Sequence, residues 1–393
     1  MARSRTVIVA GAGIGGLTAA LALARKGFRV VVVEQAEGLE ETGAGIQLSP
    51  NATRVLAELG LAERLSSVVT APDAIRVRTH LGKGLARVPL AGSVERRYGA
   101  PYWVAHRGDL QGTLAAAAGA HADIVLRLGA RAEDYALHAN GVTVHLRTAR
   151  GPDEEHGMAL IAADGLWSTF RARFGDAAPP RFAHRTAWRA MLPARVLVPE
   201  FREPAVSLWL GPDAHLVLYP VKGGEAINLV AIVRDEWRQP GWSAVGAHHD
   251  LLAHFAGWVP LVQNLLALPD RWLKWALCDR PPLRRWSNGP VALLGDAAHP
   301  MLPFLAQGAA MAIEDAFVLA ESLGRTPERP AAALRAYAKQ RRRRAARVQR
   351  VARRNGRVYH LKGLGAFLRN RALRLRGGDK LLRRYDWIYD WRP

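Results

Sequence analysis

The apolar residues of this chain fall in short blocks whose period changes along its length. "TVIVA" at 6–10 and "RVVVV" at 29–33 are continuous apolar runs of strand length, separated by a glycine loop and an Ala/Leu-rich segment with helical spacing. Strand, tight loop, helix and strand make one βαβ unit, with Glu34 at the end of its second strand. "NATRVLAELGLAERLS", 51–66, predicts a helix with Asn51 as its N-cap. "AIRVRTHLGKGLARVPL" alternates apolar and polar residues around Gly-Lys-Gly and predicts a hairpin. "GDLQGTLAAAAGAHADIVL" reads as helix then strand, and "GVTVHLRT" and "MALIAADG" as strands. Between 186 and 233 the pattern alternates with period two, with a turn at Gly223 and Gly224, as in an antiparallel sheet. "HHDLLAHFAGWVPLVQNLLAL" returns to helix, "GPVALLGDA" to a buried strand and "GAAMAIEDAFVLAESLG" to a helix. This order predicts an α/β protein: a Rossmann-like nucleotide-binding domain interrupted by an antiparallel β-sheet substrate domain, plus C-terminal helices. The boundaries fall at 1–72, 98–178 and 286–325 for the nucleotide domain, 73–97 and 179–285 for the substrate domain, and 326–393 for a basic helical region.

Charge sharpens that division. The net charge of +21 is concentrated from Arg325 onward, where 22 Lys and Arg face 4 Asp and Glu, so the rest is nearly neutral. "YAKQRRRRAARVQRVARRNGRVYHLKG" therefore predicts a solvated basic helix, with contact to an anionic surface as the sharper alternative. Nothing in it resembles a base-reading module, and no specific nucleic acid is expected. Arg, Gly or Pro cuts every apolar stretch short of the roughly 20 residues of a membrane span. The basic residues before "TVIVA" lead into a glycine loop, so a buried strand is expected there rather than a secretory leader. A single cysteine, Cys278, excludes an internal disulfide or a CxxC pair, and no metal site is expected. A cytoplasmic location fits, and a homodimer stays open.

Two motifs carry chemistry. Gly11, Gly13 and Gly16 form GxGxxG between strand and helix, with Ile14 and Gly15 inside it. The first glycine permits the turn, the second lets backbone approach a pyrophosphate and the third allows helix and strand to pack closely. Free N–H groups at the helix start face the phosphate charge. Glu34 stands where a carboxylate accepts from ribose hydroxyls, which predicts a dinucleotide, NAD or FAD. The second motif is "GDAAHPMLPFLAQGAAMAIEDA". Asp296 follows a strand, where it can accept from a polyol such as ribityl. A helix starting near Gly308 turns uncapped N–H groups toward an electron-rich carbonyl or developing anion.

The segments "GAGIGG", "GAGIQLSPNATRVLAELGL", "HRGDL", "AADGLWSTFR" and "GDAAHPMLPFLAQGAAMAIEDA" stand in one order over about residues 5–325. In this the chain resembles the single-component FAD-dependent aromatic hydroxylases, the salicylate and hydroxybenzoate hydroxylases among them. The resemblance implies FAD as resident cofactor, NADH or NADPH as transient hydride donor, and O2 as co-substrate. A flavin C4a-hydroperoxide would transfer oxygen to an electron-rich ring. It further implies that Gly11, Gly13, Gly16 and Glu34 hold the ADP half, and that Arg107, with Gln47 near it, meets the pyrophosphate or ribityl. Asp164 and Gly165 match a DG motif linked to FAD and the nicotinamide donor, with Arg171 supporting that turn. Asp296 would meet ribityl, and the Gly308, Ala309 and Ala310 backbone the isoalloxazine.

On the substrate side, His215 and Tyr219 lie four apart in a predicted strand and share one face. The family's HxxxY spacing implies that they stand over the ring, His215 taking the phenol proton or pairing with phenolate and Tyr219 donating. Gln47 and Phe304 occupy positions where hydroxynicotinate-type members carry His, so a benzenoid ring is expected over a pyridine, with Pro300 and Phe304 in its wall. Arg189 is the candidate carboxylate anchor, and His299 is assigned to the turn before Pro300. An FAD-dependent epoxidase or oxidoreductase of this fold acting on a lipid or isoprenoid is the alternative.

Overall fold

The computed structural model describes residues 5–39, 44–239 and 241–392; Gly43, first residue of the segment "GAGIQLSPNATRVLAELGL", lies outside them. The βαβ unit forms as the pattern predicts, from strand Thr6–Ala10, helix Ile14–Ala24 and strand Arg29–Val33, the strands paired in parallel. They sit in a six-stranded sheet ordered Ser287–Asn288, Val291–Leu293, Ala159–Ala162, Thr6–Ala10, Arg29–Val33, Ile124–Arg127. All of its pairs are parallel except the short hairpin at the 287 edge. The central strands are apolar throughout because helices cover them, as in doubly wound sheets.

The second large sheet has eight strands, ordered Ser243–Gly246, Trp272–Asp279, Arg181–Pro193, Ala226–Arg234, Ala214–Val221, Ala205–Leu210, Ala74–Thr79, Gly84–Pro89. The predicted hairpin 74–89 adds to its edge. Because Ala74–Thr79 pairs in parallel with Ala205–Leu210, the sheet is mixed rather than wholly antiparallel: those strands come from distant chain segments, free of a hairpin's constraint. Alternation divides its central strands between two environments. Leu216, Leu218, Leu229 and Ala231 pack with Trp188, Trp209, Phe255 and Trp258 in one core, while His215, Val217 and Tyr219 point the other way.

Local expectations differ in three places. The 51–66 segment is two helices, Pro50–Glu58 and Ala62–Ser66, broken at Gly60 with φ of 75°. Ser49 is the N-cap position and Asn51 lies inside the helix, buried. The 248–268 segment is likewise two helices, His248–Ala253 and Pro260–Ala267, since Pro260 fits only a first turn. Around the predicted strand 141–148, Ala130–His138 and Gly151–Gly157 complete an antiparallel three-stranded sheet rich in charged residues, which hides its alternation.

The basic region is less solvated than its composition predicts. Helix Pro330–Tyr359 buries Tyr337, Arg341, Ala345, Val348, Gln349, Ala352 and Gly356, a stripe at helical spacing. Within "RRRR", Arg341 and Arg344 turn inward while Arg342 and Arg343 are exposed. Their partners are Glu314 and Asp315, both fully buried in helix Gly308–Arg325. Arg341 reaches Asp315 Oδ1 and Glu314 Oε2, each at 2.6 Å, and Arg344 Nε reaches Glu314 at 2.7 Å. Burial opposes ionisation of both Asp315 and Arg341, yet the opposite charges prevail, lowering the carboxyl pKa and raising that of the guanidinium.

Removing one member of such a cluster strands charge in a dry interior. Arg341→Ala is therefore expected to lower unfolding free energy by about 3–5 kcal/mol. Arg343→Ala on the exposed face is expected to stay within about 0.5 kcal/mol of the parent. Urea unfolding of the two variants checks this, and equal losses would contradict the division of the helix into faces.

Candidate functional site

Between the two large sheets lies a cleft of about 340 Å³. Its first wall is the glycine turn. Gly11 has φ of 108°, and a Cβ there would sit 2.5 Å from the Ala163 carbonyl oxygen. At Gly16 a Cβ would come within 1.9 Å of the Gly11 carbonyl oxygen, so helix and strand touch backbone to backbone. Gly15 gives room to Leu294 and Ala312, which join this helix to helix Gly308–Arg325. A Cβ on Gly13, by contrast, would meet nothing within 4 Å, and Gly13, Ile14 and Gly15 all line the cleft. Helix Ile14–Ala24 has no acidic residue in its first turn and no side-chain cap, which leaves its N–H groups to an anion. Glu34 stands outside the cleft beside the turn, accepting from Ala12 N at 2.8 Å and Ala36 N at 2.9 Å. Each carboxylate oxygen keeps a further lone pair for a hydroxyl donor.

The second wall is the loop 294–312. Asp296 projects into the cleft within the field of Arg107, which lines it from the start of helix Arg107–Gly119. The Asp296 side chain is open to the cleft yet ringed by protein, and this desolvation raises its pKa, opposed by His299 and Arg107. Helix Gly308–Arg325 begins where the pattern placed it, with no side-chain cap and no acid in its first turn. Gly308 and Ala309 line the cleft, whereas Ala310 is buried behind them. The loop is fixed from below. Asp315 Oδ2 accepts from Gly295 N at 3.3 Å and pairs with His299 Nε2, and the His299 ring stacks on Trp286. Arg171 donates to the Ala297 and Ala298 carbonyls, both at 2.8 Å, and pairs with Asp176, so it braces this loop as well as its own turn.

The third wall is the outward face of the eight-stranded sheet. The register sets His215 beside Ile232 and Ala187, Val217 beside Val230 and Arg189, and Tyr219 beside Asn228 and Met191. His215 and Tyr219 therefore share a face with Val217 between them, as their spacing predicts. Burial pushes the Tyr219 hydroxyl pKa up and the His215 pKa well down, the latter helped by His360 and Arg185, so both groups are neutral. Gln47 lines the cleft, accepts from Tyr102 Oη at 2.7 Å and bonds to Tyr219. Its amide is thus engaged at the Tyr219 end. Arg189 lines the same region with its guanidinium 4.5 Å from the Trp275 ring centre.

Some expected residues stand off the cleft. Phe304 is 4% exposed and packs behind His215, 5.5 Å between ring centres, under Gly356 of the long helix. Pro300 uses its carbonyl to accept from Gln349 at 2.8 Å. The apolar wall instead comes from Val217, Val230, Ile232, Met301 and Pro303, of which only position in the sheet or loop, not residue type, gives notice. Asp164 lies beside the cleft, where Gly165 reaches it. Its Oδ2 accepts from Thr169 N at 2.9 Å, while buried Oδ1 has no partner among the described residues, an acceptor a bound group can satisfy. Burial raises the Asp164 pKa against the hydrogen bonds it accepts. Among the described residues no cluster of His, Cys, Asp and Glu suits a metal, and no helix is long and apolar enough to cross a membrane. Residues not singled out from the sequence include Glu314 and Asp315, although both stand inside the quoted "AIEDA".

An uncapped helix start at a glycine turn, a ribose-ready Glu34, a cleft-facing Asp296 and a second uncapped helix start suit the phosphate, polyol and ring parts of FAD in sequence. The comparisons agree. The family described as FAD binding domain matches residues 4–352. The chain is 38% identical over 384 residues to 3-hydroxybenzoate 6-hydroxylase 1 of Aquipseudomonas alcaligenes, covering 97% of this chain and 96% of that protein. A salicylate hydroxylase substrate complex superposes with a TM-score of 0.82 at 29% identity, over 98% of this chain and 95% of the other. Klebsiella pneumoniae HpxO complexed with FAD and uric acid gives 0.84 at 29% identity, over 96% and 95%. This chain belongs to the FAD-binding-domain family and is a single-component FAD-dependent aromatic hydroxylase.

Proposed function

We propose that the substrate is a benzoate already carrying a ring hydroxyl, and that the enzyme adds a second hydroxyl using NADH or NADPH and O2. The observation that carries this reading is the sheet face of the cleft. An apolar strip of Val217, Val230 and Ile232 takes the ring, and neutral His215 and Tyr219 meet its oxygen. Arg189, one row away, supplies a cation for the carboxylate. The 38% identity to a 3-hydroxybenzoate hydroxylase supports the same substrate class.

Bound FAD supplies the activation of O2 and the transfer of one oxygen atom to the ring. The chain's own residues hold and orient. Gly11, Gly13, Ile14, Gly15, Gly16 and Glu34 hold the ADP half, with Arg107 offsetting phosphate charge. Asp296 would accept from a ribityl hydroxyl, and the Gly308 and Ala309 N–H groups would meet the electron-rich edge of the ring system, with Ala310 completing that first turn. His215 and Tyr219 favour phenolate over phenol, which raises the ring's electron density, and the apolar strip keeps water from the reacting face. The need for reduced nicotinamide supports a cytoplasmic location.

A panel of hydroxybenzoates, urate, simple phenols and an isoprenoid alkene, scored for NAD(P)H oxidation, oxygenated product and peroxide release, tests the reading. A hydroxybenzoate is expected to stimulate oxidation and give hydroxylated product with little peroxide. Stimulation by the alkene or urate alone would overturn it in favour of another oxygenation on this fold. Arg189→Met is expected to raise KM for the hydroxybenzoate about tenfold or more, while a phenol without a carboxylate is unaffected. Asp296→Ala is expected to weaken FAD retention by about 1.5–3 kcal/mol, roughly ten- to a hundredfold. Titration of apoprotein with FAD reads this directly.

A further inference from the structure

His215 does not face the cleft alone. Its Nδ1 lies 2.7 Å from Nε2 of His360, the residue that ends the long basic helix, and His360 Nδ1 lies 3.1 Å from Nε of Arg185. Arg185 stands on the strand Arg181–Pro193, two residues before Ala187, on the face that carries His215. Both imidazoles are buried, at 2% and 6% exposure.

This three-residue chain has a fixed direction. A guanidinium only donates, so Arg185 Nε–H points at His360 Nδ1, which must be the bare nitrogen. Neutral His360 then carries its hydrogen on Nε2 and donates to His215 Nδ1. His215 in turn carries its hydrogen on Nε2, the nitrogen left for the cleft. Reversing the chain would set two N–H groups against each other between Arg185 and His360. Charging either ring meets the same obstacle: His360 is pushed down to about 3 by burial and then by Arg185, and His215 falls well below its ordinary value. The groups around the pair add little relief. Tyr359 and Phe304 pack on His215 as rings, Arg369 adds positive charge, and among the described residues Asp213 is the carboxylate acting on His360, itself beside Lys362 and Arg234.

We propose that Arg185 and His360 are positioning residues that lock His215 as a hydrogen-bond donor, so that it receives the substrate oxygen as phenolate instead of accepting its proton. The proton leaves to solvent as the substrate binds, and Nε2–H steadies the anion with Tyr219 O–H beside it. Only this last step rests on the hydroxybenzoate reading; the direction of the chain does not.

Nitrogen-15 NMR of histidine-labelled holoenzyme without substrate tests the direction. Between about pH 5 and 9, His215 and His360 are both expected as neutral rings protonated on Nε2. Arg185→Met is expected to release that fixed tautomer and Arg185→Lys to restore it in part. A His215 ring protonated on Nδ1, or charged above about pH 6, overturns the proposal. In weak buffer with a pH indicator, binding of 3-hydroxybenzoate near neutral pH is expected to release about one proton per ligand bound. Release near zero from a bound ligand means that His215 kept the proton, or that the phenol never lost it, and overturns the donor role. In Arg185→Met, release is expected to fall toward zero. If 3-hydroxybenzoate leaves the flavin spectrum unperturbed, the substrate reading fails while the NMR result still decides the direction of the chain.

Discussion

Two carboxylates with no exposure to solvent, Glu314 and Asp315, set the terms for the rest of this molecule. Burying them is costly unless each is met by charge and hydrogen bonds, and the structure meets both from several directions. Arg341 bridges the pair and Arg344 grips Glu314 from the side. Asn51 donates to Glu314 at 2.5 Å and to Gln307, which donates back to Ser49. Gly295 N and His299 complete Asp315. A pair of apolar residues would pack as well, but it would not select one position for the loop 294–299, the start of helix Gly308–Arg325 and helix Pro50–Glu58 together. Here the charges act as a register device: Glu314 and Asp315 are met from the loop 294–299, helix Pro50–Glu58 and the long basic helix together.

That register determines the cofactor wall of the cleft. Asp296 is next to the residue whose N–H binds Asp315, and Gly308 and Ala309 lie less than two turns ahead of Glu314 on one helix. Because helix geometry is stiff, fixing Glu314 and Asp315 fixes where those uncapped N–H groups point. His299, assigned from the sequence to the turn before Pro300, is stacked on Trp286 and spent on Asp315. The substrate wall has a different origin. There the pleat of the sheet places His215, Val217 and Tyr219 in neighbouring rows, and cross-strand register brings Arg189, Val230 and Ile232 alongside.

What could be read from the sequence follows the range of each signal. The βαβ unit, the helix beginning at Gly308 and the shared face of His215 and Tyr219 depend on periods of a few residues and on glycine sterics, all local. Pairings across long separations left no such mark. Nothing near Arg341 distinguishes it from Arg342 until its partner, 26 residues earlier, is packed against it. Asn51 has the composition of an N-cap, yet tertiary hydrogen bonds to Gln307 and Glu314 outweigh that preference. Phe304 was a reasonable wall residue by position in its motif, but the long helix approaches at Gly356 and closes over it. The partners of His215, Arg185 and His360, are separated from each other by 175 positions.

The same helix explains why the basic segment cannot be a detachable tail. Pro330–Tyr359 runs 30 residues without a break, about 45 Å at 1.5 Å per residue. Toward its middle, Arg341 and Arg344 hold the loop and helix that form the cofactor wall. At its far end it delivers His360 to the back of His215, about 28 Å further along the axis. Gly356, where a Cβ would come within 2.6 Å of the Phe304 ring, lets the helix lie close enough for that delivery. The cofactor wall and the substrate wall belong to separate sheets, and loops alone would leave their spacing soft. A rigid rod pinned to one by buried charge and to the other by an imidazole hydrogen bond holds the two at a set distance. Much of the arginine that dominates the composition of this region lies on the rod's outer face, where it keeps a long helix soluble. The residues that matter to the site are the few on the inner stripe, and they are distinguished by their partners alone.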